Sequence, residues 1–503
     1  MKYIGSIQSQ ANAEAYIVAS GAIANGKPCV VNSNGTVSAV NGQSVQTELL
    51  GTKVVWETAT VDVSQVTYDS NSDRVVIAYQ DSNNSSYTTA IVGQVDSSDN
   101  SITFGTPVVF NSADTGFIGC TFDSNSNRVL IAYRDGGVSD VGRSIVGSVD
   151  PSDNSIAFGT EVQFESGDVS FINCTFDSNV NRVVISYKDD NNSNFGTAVV
   201  GSIDSSDNSI AYGTPAVFDS QNNSITGTDC TFDSVNNKVI IVGSNEVDDG
   251  RAVAATIDDS DNSISFGTVH EFTTDADNSG SSIISVAYDV VAAKCLVVFR
   301  SDSDTKGYAQ VLNVDGTTIT SGTAVIFNNA ATEHSVVSFD ASIGQCVVAY
   351  VDQGTNSDGV FKVATIDTSD NSVSFSNATI FNDQSTDGTD VVNLVYDSGS
   401  ERTIIVYSDD TGAPDEGTVI VATIAGLRTN LTTENFIGFS NAVYATGQTA
   451  TIEVGGGVNN GQSSLTIGQQ YFVQEDGTID LTADSTSVIA GTAVSATDII
   501  VKG

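Results

Sequence analysis

An all-β fold assembled from one repeated four-stranded unit is predicted by three observations. A phrase recurs along the chain: VDSSDNSI at 95–102, VDPSDNSI at 149–156, IDSSDNSI at 203–210, IDDSDNSI at 257–264 and IDTSDNSV at 366–373. A bulky aromatic recurs at nearly constant spacing, at Trp56, Phe110, Phe164, Phe218, Phe272, Phe327 and Phe381. Between these marks lie short runs of Val, Ile, Phe and Tyr, separated by clusters of Asp, Asn, Ser and Gly, with no apolar spacing of helical period.

One unit covers 117–164 and reads FIGCTFD, RVLIAYRD, RSIVGSVD and SIAFGTEVQF, with turn residues between them. These runs are four antiparallel strands, designated a to d. A four-stranded unit repeated at this long, regular interval is the signature of a β-propeller blade. The a–b hairpins carry an acid and a base at a fixed offset: Asp69/Arg74, Asp123/Arg128, Asp177/Arg182, Asp233/Lys238, Asp289/Lys294 and Asp397/Arg402, with Asp340/Gln345 as the uncharged copy. Seven hairpins predict seven blades. Across a tight hairpin the two side chains are expected to meet, worth roughly 0.2–1 kcal/mol each if exposed.

The last blade shows strands a (389–397), b (402–409) and c (416–424) but no d, while LLGTKVVWE at 49–57 matches d strands such as FGTPVVFN at 104–111 and precedes the first a strand. The amino-terminal strand is therefore expected to complete blade seven and close the ring. The alternative is that TNLTTENF at 429–436, which places Phe436 one repeat length after Phe381, supplies that strand. The chain divides into a propeller at 47–427 and a terminal β module built from 1–46 and 428–503. The two flanking parts echo one another in NGKPCVVNSNGTVS at 25–38 and IGQQYFVQEDGTID at 467–480.

Sixty-one acids face eighteen Lys and Arg, a net charge of −43, which disfavours nucleic acid and anionic membranes as partners and suits saline, marine surroundings where screening is short-ranged. No run is long and apolar enough to insert in a membrane, and MKYIGSIQSQANAEAYIVAS lacks the apolar core of a signal peptide. Cys120, Cys174 and Cys230 share the phrase CTFD, and Cys295 and Cys346 share a second repeat position. Equivalent places in neighbouring units lie too far apart for disulfides, so these five read as small buried apolar residues.

Antiparallel blades send b–c and d–a connections to one face and a–b and c–d connections to the other. The a–b and c–d loops are near copies, whereas the b–c loops differ, from QDSNNSSY to RDGGVSDVGR and SDDTGAPDEG. Loops on a rigid scaffold carry recognition, so the individual face is the candidate binding face, with Tyr87, Arg134, Arg143, Phe195, Arg251, Tyr308 and Phe361 as contact residues.

Two of the segments that flank the propeller, ASGAIANGKPCVVNSNGTVS at 19–38 and the stretch from LTTENFIGFSNAVYATGQTATIEV to the end, resemble modules of tailed-bacteriophage virion proteins of marine and cyanophage type. The blade phrases TFDSNSNRVLIAY and AVVGSIDSSDNSIAYGTPAVF resemble repeats of tail-fibre-like proteins. The resemblance implies a structural protein of the virion, assembled in the host cytoplasm and bound to other virion proteins through its terminal module. Its implied role is a tail fibre or appendage attaching to a host-surface glycan or protein, with a head fibre or capsid decoration protein as the alternative. Fibres are often homo-oligomers, but no coiled-coil heptad predicts one here.

Enzymatic chemistry is not predicted. His270 and His334 stand alone beside strands, no phosphate loop or nucleophile elbow occurs, and no acid pair can be nominated for a glycan depolymerase. The SDNS phrase reads as a c–d turn held by Asx hydrogen bonds, since a calcium cage needs six to eight oxygens in a defined order; weak Ca2+ binding at these Asp-rich loops is the rival reading, and no other cofactor is expected.

Overall fold

The computed structural model describes residues 13–32, 35–40, 44–220, 224–277, 284–383, 389–410, 414–428, 431–432, 435–474, 477–483 and 487–502. Parts of the d–a loops at 219–227 and 273–282, and of the last b–c loop, lie outside them. The chain forms two compact units, one of Glu48–Ile424 and the other of Met1–Thr47 with Ala425–Gly503.

The larger unit is all antiparallel sheet in a propeller-like arrangement. In the second repeat, Arg128–Asp135 pairs with Val108–Asp123 on one side and with Val141–Asp150 on the other. Val141–Asp150 pairs in turn with Ser155–Phe158 and with the start of Val162–Asp177. The d strand is thus in two pieces, broken near Gly159, and its second piece runs straight into the a strand of the next repeat. Close approach explains the break: a Cβ on the corresponding Gly105 would lie 2.0 Å from the Asn154 carbonyl oxygen of the next repeat's c–d turn.

In the last repeat, Thr389–Asp397, Arg402–Asp409 and Glu416–Thr423 pair in order, and Leu49–Leu50 and Val54–Thr60 pair with Glu416–Thr423 in the fourth place. The competing Phe436–Ser440 strand pairs instead with Pro28–Val31 in the smaller unit. Each a strand touches the a strand of the next repeat, and Thr389–Asp397 touches Ser64–Asp69 of the first. Between repeats, the d aromatic packs against the b-strand aromatic of its successor: Trp56 on Tyr79 at 4.6 Å, Phe110 on Tyr133 at 5.5 Å, Phe164 on Tyr187 at 5.3 Å and Phe381 on Tyr407 at 5.2 Å between ring centroids. A glycine lies under the d aromatic; at Gly417 a Cβ would come within 2.7 Å of the Trp56 ring.

The expected pairing of acid and base across the a–b hairpins does not occur. Asp69 and Arg74 are opposite in register, yet Asp69 Oδ1 accepts from the amides of Asn71 at 2.9 Å and Ser72 at 3.0 Å in its own turn. Asp123, Asp177, Asp233, Asp289 and Asp397 are taken up by their turns in the same way. The guanidinium of Arg74 bridges two turns: Nη1 donates to the Ser72 and Asp73 carbonyls of its own hairpin, while Nε donates to Asn154 Oδ1 at 2.6 Å and Nη2 to the Pro151 carbonyl at 2.7 Å, in the c–d turn of the next repeat. Arg128 grips Asn208 and Ser205, and Arg182 grips Asn262 and Asp259, in the same manner. Arg402 of the last repeat donates to Asn100 Oδ1 at 2.6 Å and to the Ser97 carbonyl at 2.7 Å in the first. Two amides within the turn satisfy the acid, and the planar fork of Arg matches a carboxamide beside a carbonyl. Lys238 and Lys294 have no fork; they donate to the Asn237 carbonyl and to Asn313 Oδ1, within their own repeats.

The SDNS phrase is thereby assigned a structural task. Asp96 and Asp99 accept from the amides of Ser98 and Ser101, and Asn100 adopts φ 57° so that its carboxamide faces the incoming Arg. Among the described residues no group of three or more His, Cys, Asp or Glu could hold a metal ion, and no helix is long and apolar enough to cross a membrane.

The smaller unit contains two five-stranded sheets of identical strand order. The first runs Glu14–Val18, Thr449–Glu453, Phe436–Ser440, Pro28–Val31, Val37–Ala39, and the second Val458–Asn459, Ile499–Val501, Val488–Ala493, Gln470–Val473, Ile479–Asp480. Corresponding hairpins turn alike: Asn32 N bonds Thr36 O and Gln474 N bonds Thr478 O, each at 2.9 Å, with Gly35 and Gly477 at φ 77° and 74°. The module is therefore duplicated. In chain order, the larger unit is inserted between the third and fourth strands of the first copy.

Candidate binding face

The b–c loops differ in sequence more than in backbone. Asp81, Asp135, Asp189 and Asp352 each end a b strand and accept from amides of the following turn, at 3.1 Å from Asn84, 3.0 Å from Gly137, 3.0 Å from Asn192 and 2.9 Å from Gly354. Each turn leaves through two left-handed residues: Ser85 and Ser86, Ser139 and Asp140, Ser193 and Asn194, Asn356 and Ser357. Individuality is thus confined to side chains in these repeats, while the fourth uses Asn245 as its cap and the fifth is organised by Asp275 bonding Ser301 and Ser303.

The contact residues expected from sequence separate into groups. Tyr87 and Phe195 open c strands opposite Asp81 and Asp189 and are partly exposed on the loop face. Arg134 is the last residue but one of a b strand and lies with its guanidinium carbon 5.0 Å over the Phe117 ring and Nε 3.6 Å from Asp140. Arg143, Arg251 and Tyr308 share a place deeper in the c strand, opposite Tyr133, Gly243 and Phe299. Arg143 pairs with Asp135 and Glu161, both at 3.0 Å, and Tyr308 stacks on Phe299 with centroids 6.0 Å apart.

Two expectations are overturned. Arg251 is buried and paired with Asp219 at 3.0 Å and Asp249 at 2.9 Å; the b-strand aromatic of other repeats is Gly243 here, and Arg251 lines the small cavity beside it with Phe218 and Ile241. Phe361 is 1% exposed in the core with Phe381 and Tyr407, because its strand begins at Asp358 and the aromatic falls well inside it.

Sequence reading missed the inner rim of this face. At one equivalent place ahead of the a–b Asp, the a strand bulges, and Phe117, Phe171, His334 and Val391 all have left-handed backbone, at φ 52°, 52°, 46° and 45°. Bulky and β-branched residues avoid this region, at a cost of about 1–3 kcal/mol each. The Phe117 and Phe171 rings meet at 5.0 Å with a 56° tilt, and Lys188 Nζ sits 5.7 Å over Phe171. Lys188 pairs with Asp190 at 2.8 Å, and Asp190 accepts from Ser170 Oγ at 2.7 Å. Asp168 stands among these groups; burial and then the charges of Asp190 and Asp140 push its carboxyl up, against the pull of Arg134 and Lys188. Its Oδ1 is covered and accepts no hydrogen bond. Only the recurrence of Phe at 117 and 171 in the sequence could have marked the place.

No family model matches the chain, and no curated protein matches it. Among solved structures, a periplasmic gluconolactonase of Pseudomonas aeruginosa is similar at 10% identity over 68% of this chain and 97% of its own, with a TM-score of 0.49. A protein from Lactobacillus plantarum is similar at 9% over 73% and 97%, TM-score 0.45, and the NanB sialidase of Streptococcus pneumoniae at 8% over 73% and 70%, TM-score 0.44. At such identities and scores none of them bears on the chemistry of this chain.

Proposed function

We propose that the chain is a tailed-phage virion protein that presents a closed, seven-bladed propeller for attachment to a host-surface glycan or protein, and that it acts without catalysis. The insertion carries the reading: a compact repeat unit stands between the third and fourth strands of a module that recurs intact at 458–501. That is the organisation of a carrier and a displayed domain, and the carrier is the part whose sequence resembles virion modules. Support for closure comes from the pairing of Val54–Thr60 with Glu416–Thr423, from the contact between first and last a strands, and from the Arg402–Asn100 clamp. Seven a–b hairpins support the blade number.

The terminal module binds neighbouring virion proteins, and the b–c face meets the host. A head fibre or capsid decoration role is the second reading, favoured by the same virion-type modules without a tail-specific feature. Antibody raised against the full chain and applied to intact virions is expected to label the tail, and free protein is expected to compete with virions for host cells. Labelling on the capsid with no competition would replace the first reading by the second, and absence from virions would overturn both.

A further inference from the structure

The rim formed by Phe117 and Phe171 has features that folding alone does not require. The first and fourth repeats make the same turn from strand d into strand a with Val63 and Gly227 at the corresponding place and without left-handed backbone, and the sixth and seventh keep the strain with His334 and Val391. In the second and third repeats the strained bulge instead holds two partly exposed phenyl rings against each other, at the end of the sheets where the b–c loops gather. Around them are Arg134 and Lys188 as donors and Asp168 and Asp190 as acceptors. Strain retained at equivalent positions and expressed as an aromatic pair is a mark of a site.

We propose that this rim binds a neutral pyranose ring of a host-surface glycan, an assignment that rests on the attachment reading above. Three properties select the ligand. The rings offer apolar surface for the C–H face of a sugar. Lys188 already pairs with Asp190 at 2.8 Å, whereas Arg134 Nε, 3.6 Å from Asp140, makes no hydrogen bond and Asp168 Oδ1 has no donor. The spare capacity is therefore one donor and one acceptor, which suits a hydroxyl group, able to accept and to donate, over a carboxylate, which only accepts. The net charge of −43 acts in the same direction, repelling polyanionic glycans before contact.

The test uses the full chain and titrates neutral oligosaccharides of glucose, galactose and mannose beside a glucuronate oligosaccharide, followed by calorimetry, with Phe171→Gly and Asp168→Asn as variants. At least one neutral sugar is expected to bind and the glucuronate is not. Phe171→Gly is expected to weaken binding about tenfold, equivalent to ~1.4 kcal/mol, with the melting temperature kept or raised, because Gly accepts the left-handed backbone without strain. Asp168→Asn is expected to weaken binding without changing the fold, which keeps the test decisive if the glycine variant melts early. Binding unchanged in both variants, no neutral sugar bound, or tighter binding of glucuronate would each overturn the site. Host-cell binding separates the two ideas: cells still bound while every sugar fails removes this site and leaves attachment standing, whereas loss of both removes both.

Discussion

The joints between repeats fall into two kinds. From the first repeat to the fourth, and from the last to the first, an Arg of one a–b hairpin holds the Asn of the next c–d turn. From the fourth repeat to the seventh no such clamp forms among the described residues. At two of these three joints both ends depart together, since Lys238 faces the repeat whose turn is Asp315–Gly316 rather than SDNS, and Gln345 precedes the repeat whose c–d turn is replaced by the chain's own passage to the smaller unit; between the fifth and sixth only the base departs. Other bonds stand in there, Asn236 Nδ2 to the Val314 carbonyl, Val286 N to Asp229 Oδ2 and Thr403 Oγ1 to Asp340 Oδ2. Turn and base are thus one device split between repeats, preserving a contact rather than a local shape.

The largest effect is expected where a joint relies on both aromatic packing and strand closure. Trp56→Ala removes the ring that packs on Tyr79, and because Trp56 Nε1 makes no hydrogen bond the loss is one of apolar packing. A destabilisation of about 3–5 kcal/mol is expected in urea unfolding. A loss below ~1 kcal/mol would mean that the amino-terminal strand does not hold the last repeat.

Arg402→Ala, at the clamp between last and first repeats, comes next. Four donated bonds disappear, two of them to the neighbouring repeat, and Asn100 Oδ1 keeps only the Thr423 hydroxyl at 3.4 Å. About 1.5–3 kcal/mol is expected, read as an earlier unfolding midpoint, whereas the same change at Lys238 should cost less than ~1 kcal/mol.

Acid at the a–b turn gives a pH-dependent contrast. Burial pushes the Asp289 carboxyl up to about 6. Since that value lies above the unfolded one, near 4, the stability contributed by Asp289 is complete below pH ~4 and is lost as pH rises through about 6. Asp289→Asn keeps an oxygen for the Val291 and Ala292 amides and cannot ionise. Its melting temperature should therefore exceed that of the parent protein at pH 7 by the equivalent of on the order of 2 kcal/mol, with the gap closing at pH 4. A gap independent of pH would sink the assignment.

How much of this was legible in the sequence follows from where each partner lies. Strands and turns recur at one regular interval, so Trp56, Phe110 and the SDNS phrase announce themselves by spacing. The acid and base of each hairpin do face each other in register, but the choice between an opposite side chain and a turn in the next repeat depends on how repeats pack. Arg251 and Phe361 fall to the same limit at smaller scale: Gly243 opposite Arg251 leaves room for the guanidinium inside, and a strand that begins at Asp358 carries Phe361 into the core. Bulges such as those at Phe117 and Phe171 have no turn residue to mark them.

The smallest effect is also the most discriminating. Between the fifth and sixth repeats the turn keeps SDNS, with Asn371 at φ 58°, yet its Oδ1 accepts no hydrogen bond, because Lys294 binds Asn313 within its own repeat at 2.6 Å. Half of the clamp is present and the fork is missing. Lys294→Arg should supply it, with Nε reaching Asn371 Oδ1 and Nη2 the carbonyl of Thr368 in the turn, as Arg128 reaches Asn208 and Ser205. A gain of about 0.5–1.5 kcal/mol is expected in urea unfolding, and it should vanish in the Asn371→Ala background. The same substitution at Lys238, where the facing turn has Thr317 at the place of Asn, is expected to gain nothing. A gain at both positions would point to a general preference for Arg over Lys, and the clamp would not be the cause.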